Sequence, residues 1–206
     1  MKKSEIVSSY LDLLFPNPKC ELNYNTDYEL LIAIVLSAQS TDKRVNMCTK
    51  VLFKKYNSLD KLKNANIDDI KEIIKSIGSY NKKAEYIKKI STVLVDIYNS
   101  SVPTNQDDLI KLSGVGRKTI NVFLSEFYNY PAIAVDTHVE RISKRLKIAN
   151  NNDSVLEVEK KLMKFYDKKF WAKRHLQMVL FGRYYCKAIK PKCLGCKLTD
   201  ICKYKK

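Results

Sequence analysis

The stretch LSGVGRKTINV, residues 112–122, holds two of the chain's five glycines next to an arginine and a lysine. Apolar residues on both sides of the glycines recur at helical spacing: Leu109 and Leu112 before them, then Ile120, Phe123, Leu124 and Phe127 after them,. This pattern predicts a short helix that ends at residues 109–112, a tight turn at residues 113–116, and a second helix that follows directly.

The two glycines, Gly114 and Gly116, suit this turn to a specific chemical use. Glycine adopts positive φ without steric cost, and its missing side chain lets an anion approach the backbone N–H groups at the positive end of the next helix. A single glycine is typical of an ordinary turn between helices, whereas two glycines followed by basic residues favour a phosphate-binding hairpin. The candidate phosphate-binding residues are therefore Gly114, Val115, Gly116 and Arg117.

Helical periodicity dominates the rest of the chain. Apolar residues step by three or four, strand-like alternation is hard to find, and polar or proline-containing breaks separate about ten predicted helices. The apolar run LLIAIVL at residues 30–36 fits a buried strand or a buried helix, but Thr26 followed by Glu29 matches a capping box at a helix start,. The sequence therefore predicts an all-α protein with residues 30–36 in a buried helix.

The chain is strongly basic, with 38 lysines and arginines against 22 aspartates and glutamates and a formal net charge of +16. Such an excess favours a polyanionic partner such as nucleic acid. Because only six of the basic residues are arginine, a compositional drift towards lysine is an alternative explanation. The excess is concentrated in residues 183–206, which contain eight lysines or arginines and a single acid, Asp200.

Nothing in the sequence indicates a membrane or secreted protein. No apolar run approaches the roughly 18 residues of a membrane span. The opening MKKSEIVSSYLDLLF lacks the long apolar run and the cleavage site of a secretory signal,. We therefore expect no membrane partner and a location in the cytoplasm, where reducing conditions disfavour disulfides.

The strongest local signal is a set of four cysteines near the end of the chain: Cys186, Cys193, Cys196 and Cys202. They are separated by six, two and five residues, so short loops could bring four thiolates around one inorganic centre,. Ordinary core cysteines rarely cluster in this way. Zinc bound by four thiolates is the main alternative, although zinc sites usually show two close pairs. The spacing favours an iron–sulfur cluster and leaves zinc open.

Taken together, these motifs resemble the endonuclease III family of helix-hairpin-helix DNA glycosylases. LSGVGRKT resembles the family's hairpin, AVDTHVER at residues 134–141 follows it, and the cysteine spacing is similar to the family's [4Fe-4S] pattern. The stretches LLIAIVLSAQSTD, IGSYNKKA, GRYYC and KPKC occur in the family's order, so the resemblance covers nearly the whole chain. It implies an iron–sulfur cluster rather than zinc at the four cysteines.

The resemblance also implies a two-lobed fold and a function in DNA repair. Residues 20–130 would form a helical bundle that carries the hairpin, and residues 1–19 plus 131–206 would form the iron–sulfur domain, with DNA in the cleft between the lobes. The implied enzyme is a monomeric, bifunctional DNA glycosylase and abasic-site lyase of base excision repair, associated with the nucleoid. It would remove oxidised pyrimidines from double-stranded DNA containing damaged bases or abasic sites, and then cut the strand by β-elimination.

The family's catalytic residues match two positions of this sequence. Lys118 stands at the position of the amine that attacks C1′ of the deoxyribose, displaces the base and forms a Schiff base. A free lysine side chain is almost entirely an ammonium ion at neutral pH, so this chemistry depends on its surroundings. Asp136 stands at the position of the catalytic carboxylate, which accepts a proton and stabilises positive charge on the sugar. Taken alone, Asp136 also fits the cap of a helix over residues 138–148.

Further positions match the family's DNA-binding residues. Gln39, in LSAQS, stands where the family fills the gap left by an extruded nucleotide, and extrusion costs roughly a few kcal/mol. The family often has a leucine wedge after the glycine of IG-x-YN, where this sequence has Ser79, so either Tyr80 is the substitute or the wedge is weaker. The loop between the first two cysteines carries three lysines that we expect to contact phosphates: Lys187, Lys190 and Lys192,.

Three other functions remain open on the sequence alone: a monofunctional mismatch glycosylase, a non-catalytic helix-hairpin-helix DNA-binding protein, and an iron–sulfur electron carrier. Adenine-mismatch glycosylases of the same superfamily, which only remove a base, lack a lysine at the position of Lys118. A non-catalytic module would use the hairpin and the basic tail without needing this amine. An electron carrier would have no use for the GVGRK stretch.

Overall fold

The computed structural model describes residues 2–204, and within this range the chain is helical with no β-strand. The predicted all-α fold is confirmed, with eleven α-helices among these residues where the sequence indicated about ten,. The helices are α1 (Lys3–Leu14), α2 (Asp27–Ser37), α3 (Asp42–Lys55), α4 (Leu59–Asn64), α5 (Ile67–Ile74), α6 (Tyr80–Asp96), α7 (Gln106–Leu109), α8 (Arg117–Tyr128), α9 (Thr137–Arg145), α10 (Val155–Phe165) and α11 (Trp171–Tyr184). None of the helices in the described range combines the length and the apolar character needed to cross a bilayer.

The chain divides into two compact units, each with its own apolar core. The bundle unit is Cys20–Phe127, and the terminal unit combines the chain up to Lys19 with the chain from Tyr128 onward. The division expected from the sequence lies after residue 130. The bundle unit contains α2 to α7 and the hairpin, whereas the four clustered cysteines belong to the terminal unit.

Helix α2 lies at the centre of the bundle unit's core. Every residue from Glu29 to Leu36 is buried, so the prediction of a buried helix is confirmed. Thr26 caps this helix by accepting a hydrogen bond from the Glu29 N–H at 3.4 Å, as the capping-box pattern predicts,. The reciprocal bond departs from that pattern, because the Glu29 carboxylate accepts from the Asn25 N–H at 2.6 Å, one residue earlier.

The core of the terminal unit joins the two ends of the chain. Tyr10 and Leu11 of α1 are buried in the same cluster as Phe181 of α11, and the rings of Tyr10 and Phe181 meet edge to face with centroids 6.0 Å apart. Nearby, the Asp12 carboxylate accepts hydrogen bonds from both terminal nitrogens of Arg174, at 2.8 and 2.9 Å. These charge-assisted bonds from Arg174 hold the pKa of Asp12 well below its usual range,.

We expect Asp12→Asn to lower the free energy of unfolding at neutral pH by about 1–2 kcal/mol, because it leaves the buried Arg174 cation without its carboxylate. The effect is smaller than for a fully buried pair, since the Asp12 side chain is 39% exposed,. A depressed pKa stabilises the fold above the ordinary pKa of about 4, and that contribution is lost as the pH falls through the lower folded value. Thermal unfolding of both proteins from about pH 7 downward measures this difference, which should begin to shrink below about pH 4.

Glu72→Gln is a matched control for this prediction. Glu72 pairs with Lys75 on the surface of the bundle unit, where the two side chains are 69% and 63% exposed. An exposed pair contributes little, so we expect a change below roughly 0.5 kcal/mol. Unchanged stability of Asp12→Asn at neutral pH, or a difference that does not shrink as the pH falls below about 4, would contradict the role given to Asp12.

Candidate functional site

The hairpin between α7 and α8 is shaped by Gly114. Helix α7 ends at Leu109, three residues before the predicted end at Leu112, and turns connect it to α8, which begins at Arg117. Gly114 adopts φ +77°, and a Cβ built on it would lie 2.5 Å from Cδ2 of the Tyr86 ring on α6. Both the left-handed backbone and the close packing therefore require glycine at this position.

The other hairpin residues divide between the core and the surface. Val115 is buried and donates its N–H to the Leu112 carbonyl at 3.1 Å, so its side chain anchors the hairpin in the core. Gly116, Arg117 and Lys118 are exposed, and the last two are the first residues of α8. The first N–H groups of a helix have no partner within it and carry partial positive charge, which suits this surface to an anion.

We expect Gly114→Ala to impair both the folding of the hairpin and the DNA binding predicted for it. The left-handed backbone alone costs an alanine roughly 1 kcal/mol, and the new methyl group must also displace the Tyr86 ring. The expected result is a lower melting temperature together with duplex DNA binding weakened by about tenfold or more. Thermal unfolding and fluorescence anisotropy with a labelled duplex measure the two effects.

Gly116→Ala separates these two effects. A Cβ at Gly116 would meet no atom within 4 Å, so the fold has room for it. The added methyl group would nevertheless stand beside the backbone that is predicted to bind a phosphate. We therefore expect nearly unchanged thermal stability with weaker DNA binding. Normal binding by Gly114→Ala, or a large loss of stability in Gly116→Ala, would contradict this interpretation of the hairpin.

Gln39 and Ser79 are exposed residues at two neighbouring turns of the bundle unit. Both have left-handed backbone conformations, with φ of +56° and +57°. The Gln39 carbonyl oxygen lies 3.7 Å from a Cβ built on Gly78, which brings the two turns into contact. Tyr80 is half-buried and packs against the apolar core, so the exposed residue at the wedge position is Ser79.

Asp136 of the terminal unit is the N-cap of α9. Its Oδ1 accepts a hydrogen bond from the Val139 N–H at 2.8 Å, which confirms that this side chain caps a helix. The helix ends at Arg145 instead of at the predicted residue 148, because Lys147 adopts a left-handed conformation with φ +54° that closes it,. The cap uses one carboxylate oxygen, which leaves the second oxygen for a separate role.

Two arginines of α9 hold the backbone where the first cysteine loop begins. Arg141 donates to the carbonyl oxygens of Gly182 and Cys186, each at 2.9 Å. Arg145 donates to the carbonyl oxygen of Lys187 at 2.7 Å. The helix that Asp136 caps therefore also fixes the position of the cysteine segment within the terminal unit.

All four clustered cysteines line one cavity of about 510 Å³ in the terminal unit. Each of the four is half-buried, and the Arg145 guanidinium donates to Cys186 Sγ at 3.2 Å. Among residues 2–204, no group of three or more His, Cys, Asp or Glu side chains is arranged to hold a single metal ion.

The loop between the first two of these cysteines carries the lysines predicted to contact phosphates. Lys187, Lys190 and Lys192 are all exposed. Lys192 Nζ also lies 5.1 Å from the centroid of the Tyr185 ring, in a cation–π contact,. The three positive charges are therefore presented by one short loop whose start is anchored by α9.

Comparisons with known proteins identify the family. Residues 32–168 match the model of the HhH-GPD superfamily base excision DNA repair proteins. Endonuclease III of Bacillus subtilis (strain 168) is 45% identical over 203 residues, which cover 98% of this chain and 93% of the relative. The chain belongs to the endonuclease III family. The resemblance inferred from its motifs is thereby confirmed.

Solved structures of endonuclease III have the same fold as this member of the family. The structure of a trapped endonuclease III–DNA covalent intermediate, an estranged-adenine complex, is 47% identical with a TM-score of 0.93, covering 98% of this chain and 96% of that chain. A thermostable thymine-DNA glycosylase, 23% identical, shares the fold with a TM-score of 0.84, covering 98% of this chain and 96% of that one. The predicted helix-hairpin-helix glycosylase fold is therefore confirmed.

Two side chains that support the site of this endonuclease III family member were not predicted from its sequence. Tyr86 packs against the hairpin, and Lys83 is buried with only 6% of its surface exposed. Lys83 lies on the stripe of α6 where Ala84, Ile87 and Ile90 face the core. A lysine at a core position of a helix is unusual, so its place in the apolar pattern was the available signal.

Proposed function

We propose that the Lys118 amine is the nucleophile of this enzyme. Membership of the endonuclease III family gives the class of reaction: the chain is a bifunctional DNA glycosylase and abasic-site lyase of base excision repair. The observation that carries the assignment is the exposed position of Lys118 as the second residue of α8, directly after the glycine hairpin. A relative that is 47% identical has been trapped as a covalent intermediate with DNA, as attack by an amine requires,.

The proposed chemistry proceeds through a covalent bond between Lys118 and the sugar. The amine attacks C1′ of the deoxyribose, the bond from C1′ to the base breaks, and the base leaves with its electron pair and takes up a proton. The nitrogen loses its protons as the sugar ring opens, which gives an imine. The imine acidifies the hydrogens on C2′, so removal of one of them expels the 3′ phosphate by β-elimination. Water then releases Lys118 from the cleaved strand.

We propose Asp136 as the carboxylate partner of this amine. Its negative charge would stabilise the positive charge that develops on the sugar, and the oxygen not used by the cap can accept a proton from the attacking nitrogen. The hydrogen bond from the Val139 N–H fixes the side chain at the start of α9. A carboxylate held in this way is preorganised for the reaction, unlike a mobile surface group.

The partner of the enzyme is double-stranded DNA with damaged bases or abasic sites, in keeping with the endonuclease III–DNA complexes among its relatives. We propose that the hairpin and the start of α8 bind one phosphate, and that Lys187, Lys190 and Lys192 contact others, each adding about 0.9 to the salt slope of binding. Gln39 would fill the space left by the extruded nucleotide. The proposed lesions are oxidised pyrimidines, repaired by a monomer at the nucleoid.

A panel of duplexes, each with one modified base, tests this proposal when borohydride is present during the reaction. Borohydride reduces an imine to a stable amine, so the proposed enzyme leaves a covalent protein–DNA adduct on duplexes with oxidised pyrimidines. A monofunctional glycosylase would release the base without an adduct. A non-catalytic DNA-binding protein would bind the duplexes and leave them intact.

We propose that Cys186, Cys193, Cys196 and Cys202 hold a [4Fe-4S] cluster. The spacing of these cysteines is similar to the [4Fe-4S] pattern of the endonuclease III family, and all four line one cavity of about 510 Å³ in the terminal unit,. A cluster bound there would cross-link the end of the chain and hold the loop of three lysines in place. The catalytic steps described above use only side chains of the protein.

The cluster proposal predicts that the purified protein is brown and contains about four irons per chain. We expect Cys202→Ser to lose the visible absorbance and to bind duplex DNA more weakly, because the segment that carries the three lysines is no longer tied down. Cys20→Ser, which changes a half-buried cysteine of the bundle unit, should keep both properties. Zinc in place of iron in metal analysis would contradict the proposal.

A further inference from the structure

Lys83 is a buried lysine on the core-facing stripe of α6. Its Nζ donates to the carbonyl oxygen of Leu36 at 2.9 Å and to that of Ala38 at 2.6 Å, in the last turn and at the C-cap of α2. Burial lowers the pKa of this amine,. Because an amine that can carry charge is costly to bury, its presence in the core points to a role beyond packing.

The two carbonyl groups mark the place where α2 ends and the chain turns outward. The last carbonyls of a helix lack partners within it and carry the negative end of the helix dipole, so a lysine donor suits them. After Ala38, Gln39 adopts φ +56°, a left-handed conformation that most residues avoid,. By binding the carbonyl immediately before Gln39, Lys83 helps to hold this residue in place with its side chain exposed.

Lys83 is also connected to the second exposed turn. Ser79 is the N-cap of α6, and its carbonyl accepts a hydrogen bond from the Lys83 N–H at 3.1 Å. Gly78, directly before it, lies against the Gln39 carbonyl. Lys83 therefore lies between the two turns: its side-chain Nζ binds the turn before Gln39, and its backbone N–H makes the α-helical hydrogen bond to Ser79 at the start of α6.

We propose that Lys83 is a positioning residue that holds Gln39 and Ser79 together as one preformed element, which enters the base stack when the damaged nucleotide is extruded. The proposal rests on the proposed function of Gln39. A segment that is ordered before binding loses less conformational entropy than a mobile one, so more of its contact energy goes into binding. Holding the segment in place before binding matters more in a chain that has Ser79 at the wedge position, because serine fills less of the base stack than leucine does.

Lys88 is a matched control on the same helix. Its Nζ donates to the carbonyl oxygens of Lys63 and Ala65 at the end of α4, with the second contact at 2.6 Å. It thus makes the same kind of contact with a helix end, at a turn that has no proposed contact with DNA. Loss of either lysine removes two hydrogen bonds, but only loss of Lys83 releases the turn that carries Gln39.

The test compares Lys83→Met with Lys88→Met on two substrates: a duplex with a single abasic site, and the same damaged strand without its complement. Only the duplex requires entry into a base stack. We expect Lys83→Met to lower kcat/KM on the duplex by about tenfold or more, and on the single strand by less than about twofold. Lys88→Met should keep the duplex to single-strand ratio of the unchanged protein.

Two further measurements ask whether Lys83 acts through Gln39. A base analogue that brightens on unstacking, placed opposite the lesion, should respond to the unchanged protein and to Lys88→Met, and much less to Lys83→Met. In a Gln39→Ala background, Lys83→Met should add little to the loss on duplex DNA, because both changes affect the same turn.

An equal loss on both substrates, equal ratios for Lys83→Met and Lys88→Met, or additive effects with Gln39→Ala would overturn the positioning role. If Lys83→Met does not fold, Lys83→Gln keeps an amide donor and should show the same selective loss to a smaller degree. Failure of the unchanged protein to cleave any duplex or to form a borohydride adduct would overturn the proposed function instead.

Discussion

Lys118→Gln is expected to form no borohydride adduct with an abasic-site duplex and to cleave it on the order of 10³-fold more slowly or worse. The amide of glutamine is not a nucleophile, so neither the imine nor the β-elimination that depends on it can occur. Because Lys118 is exposed at the start of α8, the substitution leaves the packing of the bundle unit unchanged. Gel electrophoresis after borohydride treatment measures the adduct, and the same gel measures strand cleavage.

Lys55→Gln is the matched control, since Lys55 is an exposed lysine of the bundle unit that pairs with Asp69 on its surface. This variant should form the adduct at the normal rate. Lys118→Gln should keep its affinity for duplex DNA within about tenfold, because the glycine hairpin and Arg117 are still present. An adduct of normal yield in Lys118→Gln would show that another amine attacks the sugar.

Asp136→Asn is expected to lower base release and strand cleavage by about 10²- to 10⁴-fold while leaving the fold intact. Asparagine is as good an N-cap as aspartate, so the hydrogen bond from the Val139 N–H survives,. The negative charge is lost, and with it the stabilisation of positive charge on the sugar and the proton acceptor. Single-turnover kinetics on a damaged duplex, together with thermal unfolding, measure the two properties separately.

Two comparisons distinguish the chemical role of Asp136 from its structural role. Asp136→Ala should lose activity and also about 1 kcal/mol of stability, because the cap of α9 is removed. Ser154→Ala removes the cap of α10, where Ser154 and Glu157 form a capping box, and should cost similar stability with no loss of activity,. Full activity of Asp136→Asn would contradict the catalytic role of Asp136 and leave this residue with its capping role alone.

Much of the fold could be predicted because it depends on neighbouring residues. The apolar run at residues 30–36 became a buried helix, the paired glycines became a hairpin, and Asp136 became a helix cap, as their local patterns indicated. Helix ends were less accurate, since α7 and α9 both end three residues before their predicted limits. Those ends depend on turns whose conformation a periodic pattern does not specify.

The side chains that support the site could not be predicted, because each of them contacts residues that are distant from it in the sequence. The Nζ of Lys83 contacts carbonyl groups of Leu36 and Ala38, more than 40 residues earlier in the chain. The ring of Tyr86 on α6 leaves no room for a side chain at Gly114, which lies in the hairpin between α7 and α8. Likewise, only packing decides that Tyr80 turns towards the core while Ser79 stays exposed.

The terminal unit takes α1 from the beginning of the chain and α11 from near its end, which imposes an order on folding during protein synthesis. The bundle unit is one continuous segment and can condense as soon as it has left the ribosome. Helix α1 emerges from the ribosome before α11, and until α11 follows, Val7, Tyr10 and Leu11 lack the residues with which they pack in the terminal unit. During that interval the nascent chain exposes an apolar surface that chaperones can bind and through which chains can aggregate.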